Sequence, residues 1–130
     1  MNELDKNLAV LIAEDDDISR HVLRSILVSF GFENILEATN GAEAVELGRA
    51  NAPRFALLDI YMPQMDGWEV ARKFKAELPN TILIMITSSR DMADIDESVA
   101  QSIDGYFFKP FQKNLLLEKM TQLDQSHPVT

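Results

Sequence analysis

Short, nearly continuous apolar runs alternate with amphipathic segments along the chain, and this alternation leaves few folds open. Leu8–Ala13 runs into Glu14-Asp15-Asp16-Asp17, and Phe55–Leu58 runs into Asp59. Thr81–Ile86 runs into Thr87, and Tyr106–Phe108 into Lys109-Pro110. A run that is apolar at successive positions suits a strand buried on both faces. Five strand–helix units in a row predict an α/β fold: a parallel sheet covered on both faces, joined by right-handed crossovers. The pattern leaves the strand order open.

The segments between the runs carry helix signals. Asp17 is placed to cap a first helix, with Ile18, Val22, Ile26 and Leu23, Leu27, Phe30 at helical spacing and Gly31 as the stop. Ile35–Ala38 reads as a short second strand. Asn40-Gly41 opens a helix with Ala42, Val45 and Leu47 inward, closed by Pro53. Asp66 caps a helix with Val70, Phe74 and Leu78 on one face, broken by Pro79-Asn80. Met92–Ser102 reads as a weak, polar helix holding Ile95 and Val99, with Ile103 just beyond. Gly105 precedes the fifth strand. Phe111–Leu123 reads as the last helix, with Leu115, Leu116, Met120 and Leu123 inward, and Ser126–Thr130 as a frayed tail. No repeat, linker or low-complexity tract interrupts the 130 residues, so a single domain over 1–130, with its core at about 8–123, is expected.

Composition excludes several classes of function. The net charge of −9 argues against direct binding of nucleic acid or an anionic membrane surface. There is no cysteine, hence no disulfide framework, thiolate metal site or cysteine nucleophile. The first seven residues include acids where a signal peptide needs a basic start, and no apolar run approaches the roughly 20 residues of a membrane span. A cytoplasmic location is the expectation.

In an open parallel sheet, ligands bind outside the carboxyl ends of the strands. The polar groups that end the apolar runs therefore converge in space although they are far apart in sequence. Acids, a hydroxyl and an ammonium together suit a hard cation beside an anionic group, most simply Mg²⁺ and a phosphoryl group. Glu14 and Asp15 directly follow a strand and read as site residues, while Asp16 and Asp17 suit a helix N-terminus. The run of four acids also admits Asp15 and Asp16 as the pair. His21 and His127 show no metal-ligand spacing, and Trp68 reads as a packing residue.

Ala13-Glu14-Asp15, Leu58-Asp59-Ile60-Tyr61-Met62-Pro63-Gln64-Met65-Asp66-Gly67, Ile86-Thr87-Ser88 and Gly105-Tyr106-Phe107-Phe108-Lys109-Pro110-Phe111 resemble the receiver domain of two-component response regulators, of the single-domain chemotaxis-regulator kind. The resemblance covers about Leu8 to Leu123. It implies a flavodoxin-like (βα)5 sandwich with strand order 2-1-3-4-5. It implies that Asp59 accepts a phosphoryl group from a phosphohistidine donor, on a histidine kinase or a histidine phosphotransfer protein. Mg²⁺, or Mn²⁺ in its place, is then expected on Asp15, Asp59 and the main-chain carbonyl of Tyr61, with Glu14 holding it through a water. Lys109 and the Thr87 hydroxyl are expected on the phosphoryl oxygens. Thr87 and Tyr106 are the implied switch pair, and the fourth helix, fifth strand and fifth helix the implied face for a downstream protein.

The chain departs from the family's usual pattern at a few positions. Gln101-Ser102-Ile103 stands where Ala-Gly-Ala is frequent before Gly105. Tyr61, two residues after Asp59, is often small or polar, and its ring is suited to shielding the site from water. Ser88 follows Thr87 where a small residue is usual. Two other functions use similar residues. A haloacid-dehalogenase-like aspartyl-phosphate phosphatase also needs an Asp nucleophile, Mg²⁺, a Thr or Ser and a Lys, but wants a second acid where Tyr61 stands. A receiver excised from a hybrid kinase or transcription factor would carry the same motifs; Met1 and the tail after the last helix favour the stand-alone reading.

Overall fold

The computed structural model describes residues 4–88 and 95–127. Ten elements alternate: β1 (Val10–Ala13), α1 (Asp17–Ser29), β2 (Ile35–Ala38), α2 (Gly41–Asn51), β3 (Phe55–Asp59), α3 (Gly67–Glu77), β4 (Ile82–Thr87), α4 (Glu97–Ala100), β5 (Gly105–Phe108) and α5 (Lys113–Ser126). The strands form one parallel sheet of order β2-β1-β3-β4-β5, the flavodoxin-like arrangement. The chain leaves β1 toward one edge and returns at β3 to build toward the other. The crevice where the crossovers diverge therefore lies above β1 and β3.

Alternation along each strand splits the core into two layers. Val10, Ile12, Phe55, Leu57, Ile82, Ile84 and Ile86 point to the face covered by Leu23, Ile26 and Leu27 of α1 and Leu116 and Met120 of α5. Leu11, Ala13, Ala56, Leu58, Leu83 and Met85 point to the other face, under α2, α3 and Val99 of α4. Because both faces are covered, the central strands β1, β3 and β4 are apolar up to their carboxyl ends, which is why those runs stand out in the sequence.

Several details differ from the sequence expectation. Asp16, not Asp17, is the N-cap of α1 and accepts a hydrogen bond from the Ser19 amide at 2.8 Å. Ile18 is 76% exposed and Val22 also lies outside the core; the buried stripe is Leu23, Ile26 and Leu27. On α2 the inward residues are Gly41, Ala44, Val45 and Gly48 rather than Ala42. Gly48 takes the Phe74 ring so closely that a Cβ there would stand 2.3 Å from it, so α2 needs small side chains on its α3 side. Gly105 lies within β5 rather than before it. The last helix starts at Lys113, after Phe111 has stacked on Phe107, and Leu115 faces solvent. Of the tail expected to fray, Ser126 and His127 are held in place, and Pro128–Thr130 lies outside the described residues. His127 has Nδ1 at 2.6 Å from the Leu123 carbonyl and Nε2 at 3.0 Å from Asp104, and the Arg54 guanidinium donates to both Asp124 and the His127 carbonyl. Of the expected helix over Met92–Ser102, Met92–Asp94 lies outside the described residues, and Glu97–Ala100 is helical. Among the described residues no helix is long and apolar enough to cross a membrane.

Candidate functional site

The residues that end the central strands meet above the crevice. Glu14 is the first residue past β1 and its amide donates to the Ala38 carbonyl at 3.1 Å, which ties it to the end of β2. Asp59 is the last residue of β3 and pairs in register with Ile86, so Thr87 lies one step further along the neighbouring strand. The Lys109 amide donates to the Thr87 carbonyl at 2.8 Å, and the Lys109–Pro110 peptide is cis. Sheet register alone thus collects Glu14, Asp59, Thr87 and Lys109.

The side chains complete the cluster. Glu14 is 1% exposed and Asp59 6% exposed. Lys109 Nζ donates to Glu14 Oε1 at 2.8 Å and stands 3.7 Å from Asp59 Oδ2. Asp59 Oδ1 accepts from the Ile60 amide at 2.9 Å. One carboxylate oxygen from each of Glu14, Asp15 and Asp59 falls within 4.8 Å of the others. Asp15 is exposed at the mouth, and Asp16 is turned away to cap α1. The geometry therefore groups Glu14 with Asp15, not Asp15 with Asp16.

Crowding two carboxyls in a nearly dry place has an electrostatic cost. Burial, and after it the hydrogen bond and charge of the neighbouring Glu14, raise the pKa of Asp59 to about 8, with Lys109 and the Ile60 amide only partly offsetting them. Burial works against the Lys109 ammonium too, but the Glu14 hydrogen bond and the charge of Asp59 outweigh it and hold its pKa above the ordinary lysine value. The donor set fits a hard divalent cation: three carboxylates, no sulfur, no imidazole, converging on one point.

The remaining expected residues stand around this centre. Tyr61 is exposed, two residues beyond Asp59. The Thr87 hydroxyl donates to the Ser88 carbonyl at 3.0 Å. Tyr106 is half-buried on the α3–α4 side, where its hydroxyl reaches the Ala100 carbonyl at 3.4 Å and its ring lies 6.4 Å from that of Trp68. Trp68 is buried as expected, and its indole N–H has no partner among the described residues. The loop Met62–Asp66 is held by close backbone contact. The Gly67 amide donates to the Ile60 carbonyl at 2.7 Å, and a Cβ on Gly67 would stand 2.1 Å from the Asp59 carbonyl oxygen.

One residue escaped the sequence reading. Arg20, on α1, donates from one terminal nitrogen to the Glu14 carbonyl at 3.0 Å and from the other to Asp17 at 2.5 Å. A basic residue three positions after a helix-start acid is a recognisable pair in sequence. Its reach to the Glu14 carbonyl is not.

The chain is similar to known proteins of one family. The family model described as response regulator receiver domain matches residues 10–121. The chain is 31% identical to the chemotaxis protein CheY of Bacillus subtilis, over 87% of this chain and 94% of that one. It is 38% identical over 114 residues to a cyclic di-GMP phosphodiesterase of Thermotoga maritima, covering 88% of this chain but only 30% of that protein. Among solved structures, the REC domain of AraT, a response regulator from Geobacillus stearothermophilus, superposes with a TM-score of 0.81 at 30% identity, over 92% of this chain and 94% of that one. With the parallel five-stranded sheet and the acids at its carboxyl edge, the match over nearly all of the sequence means that the chain belongs to the response regulator receiver domain family.

Proposed function

We propose that this chain is a phosphorylation switch that takes a phosphoryl group on Asp59 from a phosphohistidine donor, carried by a histidine kinase or a histidine phosphotransfer protein. The observation that carries the reading is the position of Asp59. It is the buried carboxylate at the end of a central strand, with two more acids and one lysine around it. An Asp59 oxygen attacks phosphorus, and the N–P bond of the donor breaks with its electron pair going to an imidazole already protonated at its other nitrogen. The product is an acyl phosphate on Asp59. Lys109, a compact charge beside both Glu14 and Asp59, then faces the new phosphoryl oxygens. The Thr87 hydroxyl, on the adjacent strand end, turns from the Ser88 carbonyl to donate to the same oxygens.

The acids Asp15 and Asp59, with the Tyr61 main-chain carbonyl and Glu14 through a water, would hold Mg²⁺, which supplies the positive charge that lets one anion approach another. Glu14 and Asp15 do the holding, and Asp59 both holds and reacts. Asp15→Ala is therefore expected to weaken Mg²⁺ binding at least tenfold, by removing one of few direct ligands. Lys109→Ala is expected to leave it unchanged or tighter, by removing a competing cation. Calorimetric titration of both variants with MgCl₂ separates the two roles.

The signal is read as a change of surface. As Thr87 moves toward the phosphoryl group, Tyr106 gives up its long bond to the Ala100 carbonyl and fills the vacated space. The face formed by α4, β5 and α5 supports a partner reading. Phe108 and Leu115 are exposed there, beside a groove of about 500 Å³ lined also by Tyr106, Pro110 and Lys119. The acids of 91–97 in the sequence favour a downstream protein with basic groups, and binding that weakens with salt.

Incubation with acetyl phosphate, with and without Mg²⁺, followed by peptide mapping tests the chemistry. Magnesium-dependent uptake on the peptide holding Asp59 is the expected result. Equal uptake by wild type and Asp59→Asn would remove Asp59 from the role.

A further inference from the structure

We infer that Arg20 is a positioning residue for the carboxylate pair, gripping the β1–α1 turn on both sides of Asp15; the inference rests on the reading of Glu14, Asp15 and Asp59 as a cation site. Its guanidinium makes three contacts in three directions. One terminal nitrogen donates to the Glu14 carbonyl at 3.0 Å, the other to Asp17 Oδ1 at 2.5 Å, and Nε stands 3.4 Å from Glu37 Oε1 on β2. The side chain is only 16% exposed, so the grip is largely shielded from water. The hydrogen bond to Asp17 holds the Arg20 pKa above the ordinary arginine value against the opposing effect of burial, so the clamp is charged at every working pH.

The reason this matters is peptide planarity. The Glu14 carbonyl oxygen lies in one rigid plane with the Asp15 nitrogen and Cα. Holding that oxygen fixes the peptide from which both side chains depart. Glu14 is also anchored by its amide on the Ala38 carbonyl and its carboxylate on Lys109. Asp15 is exposed, so the backbone it hangs from, rather than core packing, fixes the point from which its carboxylate reaches the site. Asp17, two residues on, is the second fixed point. Groups one step removed from a metal's ligands commonly contribute tenfold or more to affinity by such orientation.

A competing effect has the opposite sign. A cation near a cation site repels the metal, so removal of Arg20 would tighten binding if charge were all it supplied. The guanidinium is, however, paired with Asp17 and Glu37, which offset its charge at the acids, so the loss of geometry is expected to prevail. Lysine cannot substitute, because a point ammonium does not span a carbonyl, a carboxylate in the next turn and a carboxylate on the adjacent strand as a planar fork does.

Titration of the full chain with Mn²⁺, with the free ion counted by paramagnetic resonance, reads the geometry without any phosphoryl transfer. Arg20→Met and Arg20→Lys are both expected to weaken Mn²⁺ binding, by roughly tenfold. Arg24→Met is the comparison: Arg24 shares the Glu37 partner at 3.1 Å on the same helix but does not hold the Glu14 carbonyl, and its affinity is expected to match wild type. Thermal unfolding of each variant, with titrations run well below its midpoint, keeps loss of fold apart from loss of site. Tighter binding in Arg20→Met, or wild-type affinity in Arg20→Lys, overturns the positioning role and leaves the cation site standing. An equal loss in Arg24→Met also overturns it, since the effect would then come from the helix surface at large. Failure of the wild type to take up Mn²⁺ at all removes the cation site itself, and the inference with it.

Discussion

Replacing Asp59 with Asn is expected to abolish phosphoryl uptake and, in metal-free protein, to make the fold more stable. The two effects have one cause. Asp59 is held in a nearly dry place beside Glu14, and this raises its pKa from 3.8 to about 8. Between about pH 4 and pH 8 the folded chain keeps a proton that the unfolded chain gives up. Stability is therefore lost as pH rises through that window and levels off above it. Asparagine has the same shape and no charge. Its carbonyl still accepts from the Ile60 amide, and its NH₂ donates to Glu14 without asking either group to hold a proton. The expected gain at pH 8 is on the order of 2 kcal/mol, which for a domain of this size raises the melting midpoint by roughly 5–10 °C. Urea unfolding in EDTA at pH 5 and pH 8 checks the sign: the variant should gain on wild type as pH rises. Mg²⁺ should then stabilise wild type more than Asp59→Asn, because the ion relieves the repulsion that the substitution has already removed. A variant less stable than wild type at pH 8 would mean that Lys109 alone balances both acids.

Strands and site residues were legible in the sequence for the same reason. A parallel strand buried on both faces shows as an apolar run, and the first polar residue after it marks the carboxyl edge where ligands sit. Thus Glu14, Asp59, Thr87 and Lys109 could be named before their register was known. Helix faces were less legible. A helix such as α1 carries more apolar residues than one face can bury, and Ile18–Val22–Ile26 and Leu23–Leu27–Phe30 both satisfy the spacing. Only packing against β1 and α5 selects Leu23, Ile26 and Leu27. On α2, alanine at 42 and alanine at 44 look alike, and the choice follows from Phe74 pressing on Gly48.

Other features depend on partners too distant in sequence to be anticipated. The Glu14–Lys109 pair joins residues 95 positions apart, and the His127–Asp104 contact anchors the start of a tail read as frayed. The capping role of Asp16 was hidden for a different reason. Four consecutive acids offer several equivalent N-caps, and the cap is settled by which one the Ser19 amide can reach. That small displacement bears on the candidate site as well, since Asp16 is engaged in capping while Glu14, Asp15 and Asp59 converge. Arg20 went unnoticed because its principal acceptor is a backbone carbonyl, and carbonyls carry no sequence signature.

Gly67→Ala should strike function harder than stability. The new Cβ would lie 2.1 Å from the Asp59 carbonyl oxygen, 2.9 Å from its carbonyl carbon and 3.0 Å from Ile60 Cα. All three are backbone atoms of the segment that presents Asp59, the proposed phosphoacceptor, so no flexible side chain can yield. Either α3 backs away, breaking the 2.7 Å bond from the Gly67 amide to the Ile60 carbonyl, or the end of β3 shifts. Forcing a methyl into such a place costs about 1–3 kcal/mol. A shift of about 1 Å at a reacting group can cost roughly a hundredfold in rate, because attack on phosphorus needs an aligned oxygen. Gly31→Ala provides the contrast. Gly31 has φ +100°, which an alanine adopts only with strain, yet a Cβ there would come no nearer than 3.7 Å to Lys6, far from the acids. Both substitutions should lower the melting midpoint by several degrees. Only Gly67→Ala should also slow phosphoryl uptake from acetyl phosphate, by at least tenfold in protein that remains folded. Equal uptake in the two variants would show that α3, and not the strand end carrying Asp59, gives way to the added methyl.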